Sequence, residues 1–239
     1  MADKIVGVIG GMGPEATVDL LQRVIKATPA QDDADHLRMI VDNNPKIPSR
    51  IKAIIEGTGE SPLPTLQTMA RNLAALGADF LAIACNTAHY YYQDICRAVE
   101  IPILNMIQLT GEAVLRDYPS LKTVGLLTSP AVIMKDLYLK PFQQKGLEIL
   151  YPSSQTQDRI LSAIRKIKTG CHGREEKEIL RSAAQELIAG KAEVLIIACT
   201  ELSMIADAIA GLGKVVDSAQ VLAEGIVRLA KEGCDGSPC

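Results

Sequence analysis

Short apolar runs recur along the chain with little internal alternation: KIVGVI (4–9), LRMIVD (37–42), DFLAIA (79–84), IPIL (101–104), TVGLLT (123–128), EVLIIA (193–198) and KVV (214–216). Strands that are apolar throughout, and not on alternate residues, are covered on both faces, which is the environment of a parallel sheet. Between most of these runs the apolar spacing changes to about 3.6 residues. Examples are TVDLLQRVIKA (17–27), LPTLQTMARNLAAL (63–76) and EILRSAAQELIAG (178–190), each predicting an amphipathic helix. Strand and helix in alternation specify the α/β class.

The pattern also repeats. NLAALGADFLAIAC (72–85) aligns with ELIAGKAEVLIIAC (186–199), pairing Leu73 with Leu187, Ala75 with Ala189, Ala78 with Ala192, Leu81 with Leu195, Ile83 with Ile197, Ala84 with Ala198 and Cys85 with Cys199. Asp79 and Glu193 form a similar acidic pair at the same spacing of 114 residues, the distance from 85 to 199. IVGVIGG (5–11) is echoed more faintly by TVGLLTS (123–129). The repeat predicts two pseudo-symmetric parallel-sheet α/β domains, residues 1–107 and 108–216, with a C-terminal helix in 217–239 packing back on the first. Ligands of open parallel sheets gather at the carboxyl ends of strands, so the expected active site is the cleft between the two domains.

Composition narrows the function. The 239 residues are 48% hydrophobic and 22% charged with a formal net charge of −3, which points away from disorder and from a nucleic-acid partner and toward small-molecule chemistry. The N-terminal MADKIVGVIGG has too short an apolar run for a signal peptide, and no window has the length of a membrane span, so a cytoplasmic location is expected. The six cysteines contain no CxxC pair and the three histidines (His36, His89, His172) are scattered, which argues against a zinc site and a disulfide scaffold. Cys234 and Cys239, in the EGCDGSPC tail, are given no role, and none is assigned to Cys96 or Cys171.

Two thiols do stand in a telling place. Cys85 and Cys199 each end a buried strand and meet polar residues, CNTAH and CTE, at the start of the next element. A helix N-terminus lowers a thiol pKa from about 8.5 toward neutrality, so each could serve as base or acid. Two such groups on opposite sides of one molecule suit the inversion of a stereocentre, in which a proton leaves one face of a carbon and another arrives on the opposite face. Asn86, Thr87 and Thr200 would donate to the charge that develops, or simply cap their helices. His89, one turn after Cys85, is read as a packing or capping residue that could tune the thiol. GGMGPEAT (10–17) formally fits a dinucleotide fingerprint, but Pro14 and Glu15 oppose pyrophosphate binding, which leaves a tight loop able to hold a small carboxylate. NNPKIPSR (43–50) is a proline-stiffened polar loop ending in Arg50, whose guanidinium fork suits a carboxylate.

Together GGMGPEAT, NNPKIPSR, Cys85–His89 and Cys199–Glu201, in this order over nearly the whole chain, resemble the aspartate/glutamate racemase family, and within it the aspartate racemase branch. The glutamate racemases of cell-wall synthesis instead carry an acidic DSG-type first loop and CTH at the second cysteine. The resemblance implies an amino-acid racemase that needs no cofactor or metal and interconverts L- and D-aspartate by two-base proton transfer, with Cys85 and Cys199 as the acid/base thiols. It further implies Arg50 and Lys168 as recognition residues for the side-chain carboxylate, with Met12, Asn86, Thr87, Thr200 and Glu201 lining the site. It also implies a homodimer whose partner is a small acidic substrate and neither nucleic acid nor membrane. Glutamate, broader amino-acid, hydantoin or maleate-type substrates are the alternatives within the superfamily. The alternative of another class is a thiol redox or ligand-sensing protein, which would need the two cysteine Cα atoms within about 7 Å.

Overall fold

The computed structural model describes residues 3–231; Cys234 and Cys239, and the end of the C-terminal helix expected over 217–239, lie outside the described residues. The chain divides into two compact units, residues 1–106 with 220–239, and residues 107–219.

The first unit contains β1 (Val6–Gly10), α1 (Pro14–Ala27), β2 (Met39–Asn43), α2 (Leu63–Ala75), β3 (Phe80–Ile83), α3 (Tyr92–Cys96) and β4 (Ile103–Leu104). α4 (Met106–Asp117) starts at the unit's last residue of this stretch and continues into the second. The second contains β5 (Thr123–Thr128), α5 (Pro130–Met134), α6 (Leu139–Gln144), β6 (Glu148–Leu150), α7 (Ser154–Ile167), α8 (Arg174–Ala189), β7 (Val194–Ala198), α9 (Thr200–Ser203) and β8 (Val215–Asp217). α10 (Ser218–Lys231) begins there and belongs to the first unit from Gln220 onward.

Each unit has one four-stranded parallel sheet, ordered β2-β1-β3-β4 in the first and β6-β5-β7-β8 in the second. The order is the same, and so is the register: Gly7 pairs with Leu81 and Gly125 with Leu195. A Cβ on Gly7 would press on Leu81, Ala78 and Leu73, while one on Gly125 would press on Ala192 and Leu187, the repeat partners of Ala78 and Leu73. The acidic pair is matched as well. Asp79 accepts from the Ile5 amide (2.6 Å), and Glu193 accepts from the amides of Lys122 and Thr123 (2.7 and 2.8 Å). The repeat in the sequence is therefore a repeat of packing and of hydrogen bonds.

The periodicity locates every strand among the described residues except β6, three residues at a sheet edge whose central Ile149 alone is buried. Both central strands of each sheet are buried along their length, β1 and β3 in one unit, and β7 and nearly all of β5 in the other. In the second unit Ile160, Ile164 and Ile167 of α7 and Leu180, Ala184 and Leu187 of α8 close over Leu127, Leu195 and Ile197, one apolar stripe per helix.

Candidate active site

Cys85 lies just past β3, buried, and the helical turn Thr87–Tyr91 follows it. The Cys85 carbonyl meets His89 Nδ1 at 2.9 Å, and the Met106 amide donates to His89 Nε2 at 3.1 Å. A backbone amide can only donate, so Nε2 is the acceptor and the ring proton sits on Nδ1, pointing at the carbonyl. Burial lowers the imidazole pKa to about 4, so His89 is neutral around pH 7, and its ring stacks on Tyr92 at 5.9 Å. Tyr92 in turn donates to the Ile103 carbonyl of β4 (2.7 Å). His89 thus serves the backbone around Cys85. Asn86 is buried and Thr87 half-buried beside it, and Asn86 makes no side-chain cap.

Cys199 ends β7 in the matching position, also 6% exposed like Cys85, and is the N-cap of the four-residue α9. Its surroundings differ. The thiol donates to Glu201 Oε2 at 3.2 Å, and the Lys168 ammonium pairs with Glu201 Oε1. Burial tends to raise the Glu201 pKa, but the Lys168 charge and hydrogen bond outweigh it, and the carboxyl is held below its usual value. Burial and then the Glu201 charge push the Cys199 thiol well above its usual value, against the pull of the Leu202 amide and Lys168. The expectation that the helix start would lower this pKa is therefore corrected: desolvation and an adjacent carboxylate exceed what one turn of helix supplies. Thr200 Oγ1 is buried without a hydrogen-bond partner.

The remaining predicted residues belong to loops of the first unit and to the end of α7. Lys168 is the C-cap of α7, and its pairing with Glu201 means that its charge is already matched within the chain. Arg50 precedes the helical turn Ile51–Glu56. Its Nη1 donates to the carbonyls of Ile47 and Pro48 (3.4 and 3.0 Å), its Nε is buried without a partner, and no carboxylate of the described residues pairs with it. Met12 is buried completely. In the glycine loop, the Gly11 amide donates to Thr17 Oγ1 (2.9 Å), which donates in turn to the Gly13 carbonyl (3.0 Å). That amide is consequently committed to the loop itself. Gly11, at φ 89°, lies where a Cβ would come 2.2 Å from the Asn44 carbonyl oxygen, so its small size permits close approach of the two loops. Among the described residues no three His, Cys, Asp or Glu side chains gather as metal ligands, and no helix is long and apolar enough to cross a membrane.

A family model described as Asp/Glu/hydantoin racemase matches residues 9–226. The chain belongs to the Asp/Glu/hydantoin racemase family. Its structure resembles that of the Picrophilus torridus aspartate racemase, with a TM-score of 0.82 and 31% identity over 95% of this chain and 94% of that one. An aspartate racemase homologue from Pyrococcus horikoshii matches with a TM-score of 0.74 and 26% identity over 96% of this chain and all of its own. In sequence, the chain is 29% identical over 236 residues to a broad-specificity amino-acid racemase of Bacillus subtilis, spanning 93% of this chain and 96% of the relative. For this racemase-family chain the two α/β units with parallel sheets are thus the shared architecture.

Ser203 and Asp217 were not picked out by sequence reasoning. Ser203 Oγ lies 3.2 Å from the Cys199 carbonyl and 2.6 Å from Asp217 Oδ1, which accepts from the Ala219 amide at 2.9 Å. The signal was present: Ser203 stands 114 residues after His89, the spacing of the repeat.

Proposed function

We propose that the chain is a racemase of acidic amino acids that interconverts L- and D-aspartate without pyridoxal phosphate, with Cys85 and Cys199 as its two proton carriers. The carrying observation is that both thiols stand at the same point of two units with the same strand order and register, each just past the third strand of its sheet. One thiolate removes the Cα proton, the other thiol delivers its proton to the opposite face, and the two sulfurs exchange protonation states. The next substrate runs in reverse.

Cys199 rests as the thiol, its hydrogen on Glu201, and so enters as the acid. In the opposite direction its thiolate must form beside Glu201, where Lys168 offsets part of the charge. Both sulfurs are nearly dry, which strengthens the donors that steady a carbanion. The unpartnered Thr200 hydroxyl is one such donor, and Asn86 and Thr87 are its counterparts by Cys85. Arg50, a cation paired with no carboxylate among the described residues, receives the substrate's side-chain carboxylate, and the buried Met12 lines the site. By the resemblance, the enzyme works as a cytoplasmic homodimer.

Broad specificity is the second reading. It is favoured by the Lys168–Glu201 pair, which leaves one cation instead of two to select a dicarboxylate, and by the likeness to the broad-specificity relative. Incubation with L-aspartate in deuterated water without added cofactor, followed by optical rotation and α-deuterium content, tests the proposal. Racemisation with one deuterium per turnover is expected. No exchange with aspartate or glutamate would sink it, and equal rates on neutral amino acids would select the second reading.

A further inference from the structure

In both halves the side chain four residues after the cysteine candidate leads on to the helix after the fourth strand. In the first unit the link is direct: the Cys85 carbonyl meets His89 Nδ1 (2.9 Å), and His89 Nε2 takes the amide of Met106, the first residue of α4 (3.1 Å). In the second it has one more member. Ser203 Oγ donates its one proton to Asp217 (2.6 Å), Asp217 takes the amide of Ala219 in the first turn of α10 (2.9 Å), and the Cys199 carbonyl is held by the Ser203 backbone amide (3.0 Å).

We propose that His89 is a positioning residue that fixes the carbonyl of Cys85 and thereby aims its thiol. The inference deepens the two-thiol reading and rests on it. Capping the first-turn amides of α4 and α10 would by itself require only an acceptor at each helix start. The structure shows more at α4: the imidazole that accepts from the helix start also donates to the Cys85 carbonyl, whereas the Asp217 link in the other half ends at the Ser203 hydroxyl. Both ring nitrogens of His89 are occupied by backbone groups, so it holds the loop and does not exchange protons with substrate. Holding the carbonyl fixes the peptide plane beside the cysteine Cα, and with it the direction in which Cβ and Sγ project. Proton transfer to carbon tolerates little error in that direction, about 1 Å costing on the order of a hundredfold.

The test uses variants that separate the two ends of the tie. In His89→Gln the longer amide reaches the Met106 N–H and abandons the Cys85 carbonyl; in His89→Asn the shorter amide keeps the carbonyl. Racemisation of L- and D-[2-2H]aspartate by the full chain is followed in both directions, or of the glutamate pair if that is the faster substrate. His89→Gln should lower kcat about ten- to a hundredfold with little change in KM, and His89→Asn should recover most of the loss. Because only the Cys85 step is impaired, the substrate deuterium effect should rise in the direction where Cys85 abstracts and fall in the other. Ser203→Ala, which keeps the Cys199 carbonyl on the backbone amide of residue 203, should leave the two isotope effects as they are in the unmodified chain. Should His89→Gln fail to fold, His89→Ser, whose side chain reaches neither the Cys85 carbonyl nor the Met106 amide, decides by the same isotope-effect split. Unchanged kcat, or a loss with equal isotope effects in both directions, overturns the positioning role while leaving the racemase standing. No turnover by the unmodified chain overturns the racemase reading and this inference with it.

Discussion

The ends of β3 and β7 are alike in backbone and unlike in charge. Both cysteines are 6% exposed and follow the same register, yet Cys85 is tied to a neutral imidazole whereas Cys199 lies among Glu201, Lys168 and, through Ser203, Asp217. A repeated fold repeats places, because strand order and register fix where a residue stands. It does not repeat electrostatics, which a few side chains around each place decide. Two thiols proposed to alternate as acid and base need comparable reach and are free to differ in proton affinity.

The largest effects should come from breaking the likeness at sulfur. Cys85→Ala and Cys199→Ala are each expected to lower racemisation by about 10²–10⁴-fold, the usual contribution of a positioned acid or base. Loss in only one of them, measured as kcat with L- and D-aspartate, would refute two equivalent proton carriers. A variant left with one thiol should still wash out α-deuterium from one enantiomer faster than from the other.

Next comes the neutral partner of Cys85. Burial disfavours the charged form of His89 and pushes its imidazole pKa down to about 4 in the folded chain, against about 6.5 for a free imidazole. Between those values the unfolded chain binds a proton that the native chain does not, so stability is greatest above about 6.5 and falls as pH drops toward about 4, by about 3 kcal/mol in all. Urea unfolding over that pH range should show this slope, and His89→Asn should flatten it. A midpoint that does not move with pH in the unmodified chain would contradict a buried neutral ring.

The two cations sharpen the contrast further. Arg50→Gln, removing the cation that pairs with no carboxylate among the described residues, should raise KM for aspartate about 10–100-fold with kcat largely kept, as expected for a charge-assisted hydrogen bond. Lys168→Gln strips Glu201 of its counter-charge and should cost about 1–3 kcal/mol of stability, with the kinetic loss mainly in kcat. The reverse assignment of KM and kcat effects would make Lys168 the principal recognition residue.

Much of this was legible in the chain itself. Apolar runs ending at Cys85 and Cys199 announced both strand ends, because a fully buried parallel strand needs uninterrupted apolar residues. The repeat partners Leu73/Leu187 and Ala78/Ala192 proved to be the same contacts against Gly7 and Gly125. β6 stayed hidden because three residues at an edge carry too little pattern. The Cys199 pKa was misread because the helix start is visible in sequence while full burial beside Glu201 is not. Ser203 and Asp217 were missed because the tie runs between residues 14 apart, each unremarkable by itself.

The smallest expected effect tests the repeat where the two halves differ by one register step. α2 ends at Ala75 and is capped by Leu76, with Gly77 at φ 91°, the Gly77 amide bonding back to Ala74 and the Ala78 amide to Leu73 (3.0 and 3.1 Å). α8 ends in the same way, the Lys191 amide bonding to Ile188 and the Ala192 amide to Leu187 (2.9 and 3.0 Å), but here Lys191 occupies the left-handed position at φ 71° and the glycine, Gly190, comes one residue early. A left-handed residue with a Cβ is strained by about 1 kcal/mol relative to glycine, and a Cβ on Gly77 would meet nothing within 4 Å, so the backbone angle alone decides. Lys191→Gly should therefore stabilise the chain by about 1 kcal/mol, and Gly77→Lys should destabilise it by a similar amount. Urea midpoints of the two variants, moving in opposite directions by comparable steps, would show that the second helix end is a copy of the first carrying a misplaced glycine. Equal signs would mean that the two ends are held by different forces.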